Sequence, residues 1–211
     1  MQLSDIRTRV RERLGLSTSD TAVTDAILTE FINAANRKIA LMHDWPWLVA
    51  TDATWTATVA GTDTYSPATD ARKTIYIVVN NEQLLKYKQP QDLARWESTQ
   101  GMPGNYTWIG NQIKLSPVPQ GVYNIEHLYI LEVATMSADG DLPEMATAAD
   151  QWAVDALIEY AALLTAQRLR DAELIASTKE EWARTVTMLQ DEIRRSKQLP
   201  TVMRRNDIGW P

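Results

Sequence analysis

Apolar positions follow a helical period at both ends of the chain and a strand period between them. Leu3, Ile6, Val10 and Leu14 fall near one face of a helix predicted over 4–15, with Ser4 as its cap and Gly15 as its stop. Arg7, Arg9, Arg11 and Arg13 take alternate positions in this helix, about 200° apart around the axis. That spacing spreads them over the exposed side and reads as a solvated face. In the second helix Thr24 caps a run whose Ile27, Leu28, Phe31, Ile32, Ala35, Ile39 and Met42 share one face. The run stops at His43-Asp44-Trp45-Pro46-Trp47-Leu48, because Pro46 disfavours helical geometry at Trp45. Trp45, Pro46 and Trp47 then read as a structural corner that pins the helix exit to a core.

From 51 to 132 the period shortens to two. Trp55, Ala57 and Val59 alternate with Thr54, Thr56 and Thr58, and Gly61-Thr62-Asp63 turns the chain before Tyr65. Residues 74–79 form a strand, and Asn80-Asn81 suits a tight hairpin because asparagine tolerates positive φ. The chain returns through Gln83-Leu84-Leu85, and Pro90 opens a short helix that includes Leu93 and Trp96. A second hairpin joins 106–109 to 112–115 through Gly110-Asn111; Pro117 and Pro119 close it, and Val122 to Leu131 make a long strand. Six or seven short strands with turns between them predict an antiparallel sheet or small sandwich.

After a polar loop over 133–144, two helices fill 146–196, with a break near Arg170-Asp171 that makes them an antiparallel pair. The first carries Trp152, Leu157, Tyr160, Ala161, Leu164 and Leu169 on its apolar side. The second carries Ile175, Trp182, Val186, Leu189 and Ile193, and its outer face is charged. The whole predicts an α+β fold. Helices at 1–50 and 133–196 form a bundle, 51–132 is an inserted β lobe, and 197–211 is an extended C-terminal arm.

Composition changes this picture chiefly by exclusion. With no cysteine, the chain has no disulfide, thiolate metal site or cysteine nucleophile; His43 and His127 are too few for a three-histidine site. The net charge of −6 argues against a general nucleic-acid binder. That charge is unevenly placed: zero over 1–50, −2 over 51–132, −8 over 133–193 and +4 over the last eighteen residues. The basic end has no helical period and two prolines, so alone it should stay mobile or extended. It nonetheless keeps Leu199, Val202, Met203, Ile208 and Trp210 around Arg204 and Arg205. Spaced apolar anchors on a basic arm suggest a segment that another chain receives.

Candidate chemistry is sparse. The sequence has no phosphate-binding glycine loop, no dinucleotide fingerprint, no His-Glu-x-x-His and no Gly-x-Ser-x-Gly. Asp139/Asp141 and Glu180/Glu181 are acid pairs of the kind common in loops and on helix faces, and Asp139-Gly-Asp141 misses the calcium-loop spacing. No catalytic residue, cofactor site or metal site is expected. No apolar run follows the N-terminal arginines to make a signal peptide, and none approaches membrane-spanning length.

One set of short stretches is more specific in its order than any is alone. Trp45-Pro46-Trp47-Leu48 follows a helix; Gly61-Thr62-Asp63-Thr64-Tyr65 precedes Pro67; Asp70-Ala71-Arg72-Lys73 comes next. Gly101-Met102-Pro103 leads to Tyr106, and Ile113 to Pro119 is followed by Tyr123 and Tyr129, with Leu142-Pro143 before a long helix. Across roughly 27–165 this resembles the phage head-to-tail adaptor proteins that ring the portal, although Ser66 stands where Leu-Pro is more usual and Asn81 where the hairpin favours Gly. The resemblance implies a structural, non-enzymatic virion protein of the neck, assembled in the host cytoplasm. It further implies a ring of twelve copies with the portal protein and the next tail or nozzle protein as partners, and 197–211 as the arm that reaches the portal. DNA would pass through the bore without sequence-specific binding, and an acidic or neutral bore would let phosphates pass.

A rival of another class is a tail-associated glycan-binding or glycan-cleaving module, in which exposed Trp55, Tyr106 and Trp108 stack on sugars beside an acid pair. The remaining alternative, a helical regulator contacting DNA through Arg7 to Arg13, sits poorly with the overall acidity.

Overall fold

The computed structural model describes residues 1–18, 20–93, 99–147 and 151–198. Trp96 and the arm residues Leu199, Val202, Met203, Arg204, Arg205, Ile208 and Trp210 lie outside the described residues, as do the side chains of Trp55 and Ile193. The described helices are α1 (Leu3–Leu14), α2 (Asp25–Ala40), α3 (Pro90–Leu93), α4 (Gln151–Leu169) and α5 (Ala172–Gln198). The strands are β1 (Val49–Ala57), β2 (Thr64–Tyr65), β3 (Ala71–Val79), β4 (Gln83–Leu84), β5 (Lys86–Tyr87), β6 (Gln100–Gly101), β7 (Asn105–Ile109), β8 (Gln112–Ser116), β9 (Val118–Pro119) and β10 (Asn124–Leu131). The fold is α+β, with helices before and after an inserted set of sheets along the chain. The chain divides into two compact units, residues 1–43 with those from Val133 onward, and Asp44–Glu132.

The helical unit is built around α4, which packs against α1, α2 and α5. With neighbours on three sides, α4 buries more than a stripe: Ala153, Val154, Ala156, Leu157, Ile158, Ala161, Ala162, Leu163 and Ala166 are all buried. The apolar side read from large residues is corrected here, since Trp152, Tyr160, Leu164 and Leu169 are only half-buried. Alanines let the neighbouring backbones come close, so small residues occupy the interior of this helix. By contrast α5 keeps one half-covered stripe of Ile175, Trp182 and Val186, with Leu189 buried. The Trp182 ring lies 4.6 Å from that of Tyr160. Arg170, at φ 58, makes the break between α4 and α5, and the Asp171 carboxylate caps α5 by accepting from the N–H groups of Glu173 and Leu174.

Cap chemistry explains where the first two helices begin. Thr24 Oγ1 accepts from the Ile27 N–H at 3.4 Å, as the sequence predicts. Ser4, in contrast, is not the cap of α1. The helix starts one residue earlier, and its first free N–H groups are met by backbone: Leu3 donates to the Asp141 carbonyl at 2.8 Å and Ser4 to that of Asp139 at 3.2 Å. The Gln2 N–H is met in turn by the Asp5 carboxylate at 3.2 Å, so loop carbonyls and one side chain together hold this end of the helix. Gly15 ends α1 at φ 65, with Leu16 N–H returning to the Arg11 carbonyl.

In the other unit, two four-stranded sheets run in the orders β1-β10-β3-β4 and β2-β8-β7-β5. Ile77, Val79 and Ile125 of the first meet Tyr65, Tyr106, Ile113 and Leu115 of the second in one buried cluster, giving the small sandwich. Asn80 and Asn81 adopt φ 52 and 59, the left-handed pair that the hairpin needs. Leu85, 3% exposed, is where the chain leaves one sheet for the other, its N–H still donating to Ile77. Because it changes sheets there instead of turning back, β5 pairs with β7 in parallel, and β6 with β9 likewise, a departure from a purely antiparallel lobe.

Candidate functional site

Pro46 opens a single 3-10 turn, Pro46–Leu48, and the Leu48 N–H closes it on the Trp45 carbonyl at 3.0 Å. Trp45 is 1% exposed, and Trp47, half-buried, stacks on it at 4.7 Å and 9°. The stack holds the indole of Trp45 from one face, while Asp44 pairs with Arg72 and Lys73 of β3. The corner is thus fastened by an aromatic pair and by charge.

The alternating arginines of α1 are not a solvated row. Arg7 pairs with Asp139 and, at 3.6 Å, with Asp25; Arg9 reaches Asp155 at 3.9 Å. Arg13 contacts Glu159 at 2.9 Å and Glu181 at 3.8 Å. Arg11 is buried; its guanidinium donates to the carbonyls of Ser17 (3.1 Å) and Val23 (2.8 Å) and to Asp25 (3.0 Å). Positions 200° apart on a helix with neighbours on several sides face several elements, so each arginine finds a different partner. The −8 block therefore carries less free charge than its count. Asp139, Asp155, Glu159 and Glu181 all face α1 arginines, and Asp141 accepts from the N–H groups of Ser137 and Ala138, which hold its carboxyl below the usual range.

Loop 133–144 is tied down further by the side chains of Asn33 and Glu144. The buried Asn33 amide donates to the Met136 carbonyl at 2.8 Å and accepts from the Met136 N–H at 2.9 Å, while Glu144 accepts from the Ala134 N–H at 2.7 Å. Two amides, Asn33 and Asn36, within the largely apolar buried face of α2 are the signal in the sequence.

On the sandwich, Tyr106 is buried rather than exposed, edge-on to Tyr87 at 5.6 Å. Trp108 is half-buried, and its indole N–H donates to Thr74 Oγ1 at 3.1 Å. Thr74 Oγ1 in turn lies 2.9 Å from Nε2 of His127. His127 is fully buried and stacked on Tyr129; burial pushes its pKa down to about 4, against the opposing pull of Asp52. The adjoining cavity of about 480 Å³ is lined by Arg72, Lys73, Thr74, Tyr87, Tyr106 and Trp108. These residues include no carboxylate pair, so the acid and base of glycoside cleavage are missing there.

A larger groove of about 540 Å³ runs between α4 and α5, with Trp152, Met188 and Leu189 as its apolar part and Asp155, Glu159, Glu181 and Asp191 around it. The acids of Glu180/Glu181 bind Arg184, and among the described residues no group of three or more His, Cys, Asp or Glu is placed to hold a metal ion.

The profile of the SU10 adaptor protein family matches residues 1–205, nearly the whole chain. The chain belongs to that family. It is a phage head-to-tail adaptor protein, a structural component of the virion neck, which points to a non-enzymatic role with portal and tail proteins as partners. The adaptor match extends through Leu199, Val202, Met203, Arg204 and Arg205, and stops short of Ile208 and Trp210. No curated protein matches the adaptor sequence. Among its described residues, no helix is long and apolar enough to cross a membrane.

Proposed function

We propose that this adaptor assembles as a ring, of twelve copies, that joins the portal to the next tail or nozzle protein and continues the DNA channel. Family membership across 1–205 carries the reading. Within it, 197–211 acts as the portal-binding arm, with Leu199, Val202, Met203, Ile208 and Trp210 as apolar anchors and Arg204 and Arg205 as its charges. Assembly is the mechanism: neighbouring subunits bury apolar surface, the arm orders on the portal, and the portal templates the ring. A bore wall that is acidic or neutral would spare DNA phosphates a tight hold.

The test is a portal pull-down with full-length protein and with a variant lacking 199–211, followed by cryo-electron microscopy of the complex. Loss of binding on truncation, with a closed ring beneath the portal in the full-length sample, is the expected result. A truncated protein that still docks overturns the arm assignment, and full-length dodecamers seen without portal at low concentration overturn the templating.

A further inference from the structure

Loop 133–144 carries one peptide linkage unlike any other in the chain. Asp139-Gly140 is the single place where an aspartate or asparagine precedes a glycine. It lies on the exposed stretch 137–140, and the Asp139 side chain is 81% exposed. The loop is held on either side of it, by Asn33 on Met136 and by the Asp141 N–H on the Ala138 carbonyl at 3.0 Å. Arg7 pairs with the Asp139 carboxylate, but at such exposure an ion pair holds a side chain only loosely. The Gly140 N–H donates to no group among the described residues, and the space that a Cβ on Gly140 would enter is open. A carboxyl group and an unbonded backbone N–H therefore stand on adjacent residues with no side chain to obstruct their approach.

We propose that Asp139-Gly140 is a modification site, at which the backbone isomerises spontaneously from aspartate to isoaspartate. The Gly140 nitrogen gives its proton to water and attacks Cγ of the protonated Asp139 carboxyl. A C–N bond forms, the carboxyl hydroxyl leaves as water, and a five-membered succinimide results. Water then opens the ring at the former main-chain carbonyl. That carbon's bond to the Gly140 nitrogen breaks, and a carboxylate is left on it. One water leaves and one returns, and nothing is oxidised or reduced, so solvent is the sole reagent. Closing the ring requires the backbone on both sides of the linkage to rotate, which glycine allows more readily than any other residue.

The isomer exchanges two groups that α1 depends on. The side-chain carboxylate that pairs with Arg7 becomes a neutral peptide carbonyl, and the main-chain carbonyl that accepts from the Ser4 N–H at 3.2 Å becomes a carboxylate on a branch. The main chain also gains one carbon inside the turn that Asp141 closes on Ala138. The same carbon enters the loop that the Asp141 carboxylate closes on the Ser137 and Ala138 N–H groups. Because the Asp141 carbonyl is the acceptor for Leu3, the change reaches both N–H groups by which this loop holds the start of α1, and it loosens them. A virion replaces none of its proteins, so in a neck component the isomer accumulates with the age of the particle.

The test is to age full-length protein at mildly acidic pH in heavy-oxygen water and map its peptides by mass spectrometry. Ring opening leaves one heavy oxygen, and the isoaspartate linkage resists an aspartate-specific protease. Label and isoaspartate at Asp139 are expected, with Asp141 on the same peptide as the internal reference. Gly140→Ala fits the open space, and the φ of Gly140 lies outside the left-handed region, so this variant should fold. It should react about fivefold more slowly or less, the equivalent of about 1 kcal/mol in the barrier. Isoaspartate no more frequent at Asp139 than at Asp141, or an alanine variant that reacts at the parent's rate, overturns the assignment. Hydrogen exchange of the peptide covering 1–14 then reads the consequence. The Leu3 and Ser4 amides should exchange about tenfold faster in the isomerised fraction, as expected when a hydrogen bond is lost, while the alanine variant aged alike keeps slow exchange. Equal exchange in isomerised and fresh protein overturns the link to α1.

Discussion

Replacing Arg11 with methionine removes a charged fork from the helical unit while keeping most of the stem that carries it. The side chain is 7% exposed, so its three bonds are not equal in value. Asp25 is 66% exposed and regains water when the pair is broken, which limits that contribution to below about 1 kcal/mol. Ser17 is exposed, and its carbonyl is hydrated at little cost. Val23 is 0% exposed, and its carbonyl at 2.8 Å is left without this donor, a loss of about 1–3 kcal/mol. Arg11→Met should therefore destabilise by about 2 kcal/mol, and Arg11→Ala, which also loses buried methylenes, by about 4 kcal/mol. Urea unfolding followed by far-ultraviolet circular dichroism reads the helices directly, and an unchanged urea slope confirms that the native and unfolded states remain comparable. Both losses should persist in high salt, unlike those at the more exposed Arg9 or Arg13. A methionine variant within about 0.5 kcal/mol of the parent would refute the reasoning, since that is the range of an ordinary surface position.

His127 should make the protein pH-sensitive in one window. Its folded pKa of about 4 lies below the unfolded value near 6.5, so its contribution is complete above 6.5, is lost as pH falls toward 4 and changes no further below that. The full span is about 3.4 kcal/mol; unfolding curves of the parent and His127→Gln should converge over this interval, and parallel curves would show that the ring is not desolvated. At the corner, Trp45→Ala should cost about 3–5 kcal/mol in thermal or urea unfolding, whereas Trp47→Ala, which leaves the buried ring in place, should cost about 1–2 kcal/mol. Equal losses at both positions would mean that the stack, not burial, fastens the corner.

The elements that could be read in advance are those settled by neighbours in sequence. Thr24 caps α2 through a residue three positions on, Gly15 ends α1 by its own φ, and Asn80-Asn81 lead the three-residue turn between Val79 and Gln83. The features that escaped reading depend on distant chain. Arg7 meets Asp139 and Arg13 meets Glu159 across well over a hundred residues, and no local pattern distinguishes those arginines from a solvated face. Ser4 failed as a cap because carbonyls from the 139–141 loop came first. The parallel pairing of β5 depends on the chain changing sheets at Leu85, a choice made by the packing of both sheets. Proline constrains its own neighbour, so the turn at Pro46 follows from local sequence, whereas an alternating strand such as β7 does not say which of its faces is covered, and the rival reading's Tyr106 lies on the covered one.

The sandwich begins and ends on neighbouring strands. Val49 of β1 stands directly opposite Ile130 of β10, so the segment from Asp44 to Glu132 starts and finishes at nearly one point. To the helices on either side, eighty-nine intervening residues amount to a short bridge. Insertions, deletions or wholesale exchange within that bridge leave the gap between α2 and the 133–144 loop unaltered. Grafting experiments therefore have a ready-made splice site at the two neighbouring strand ends.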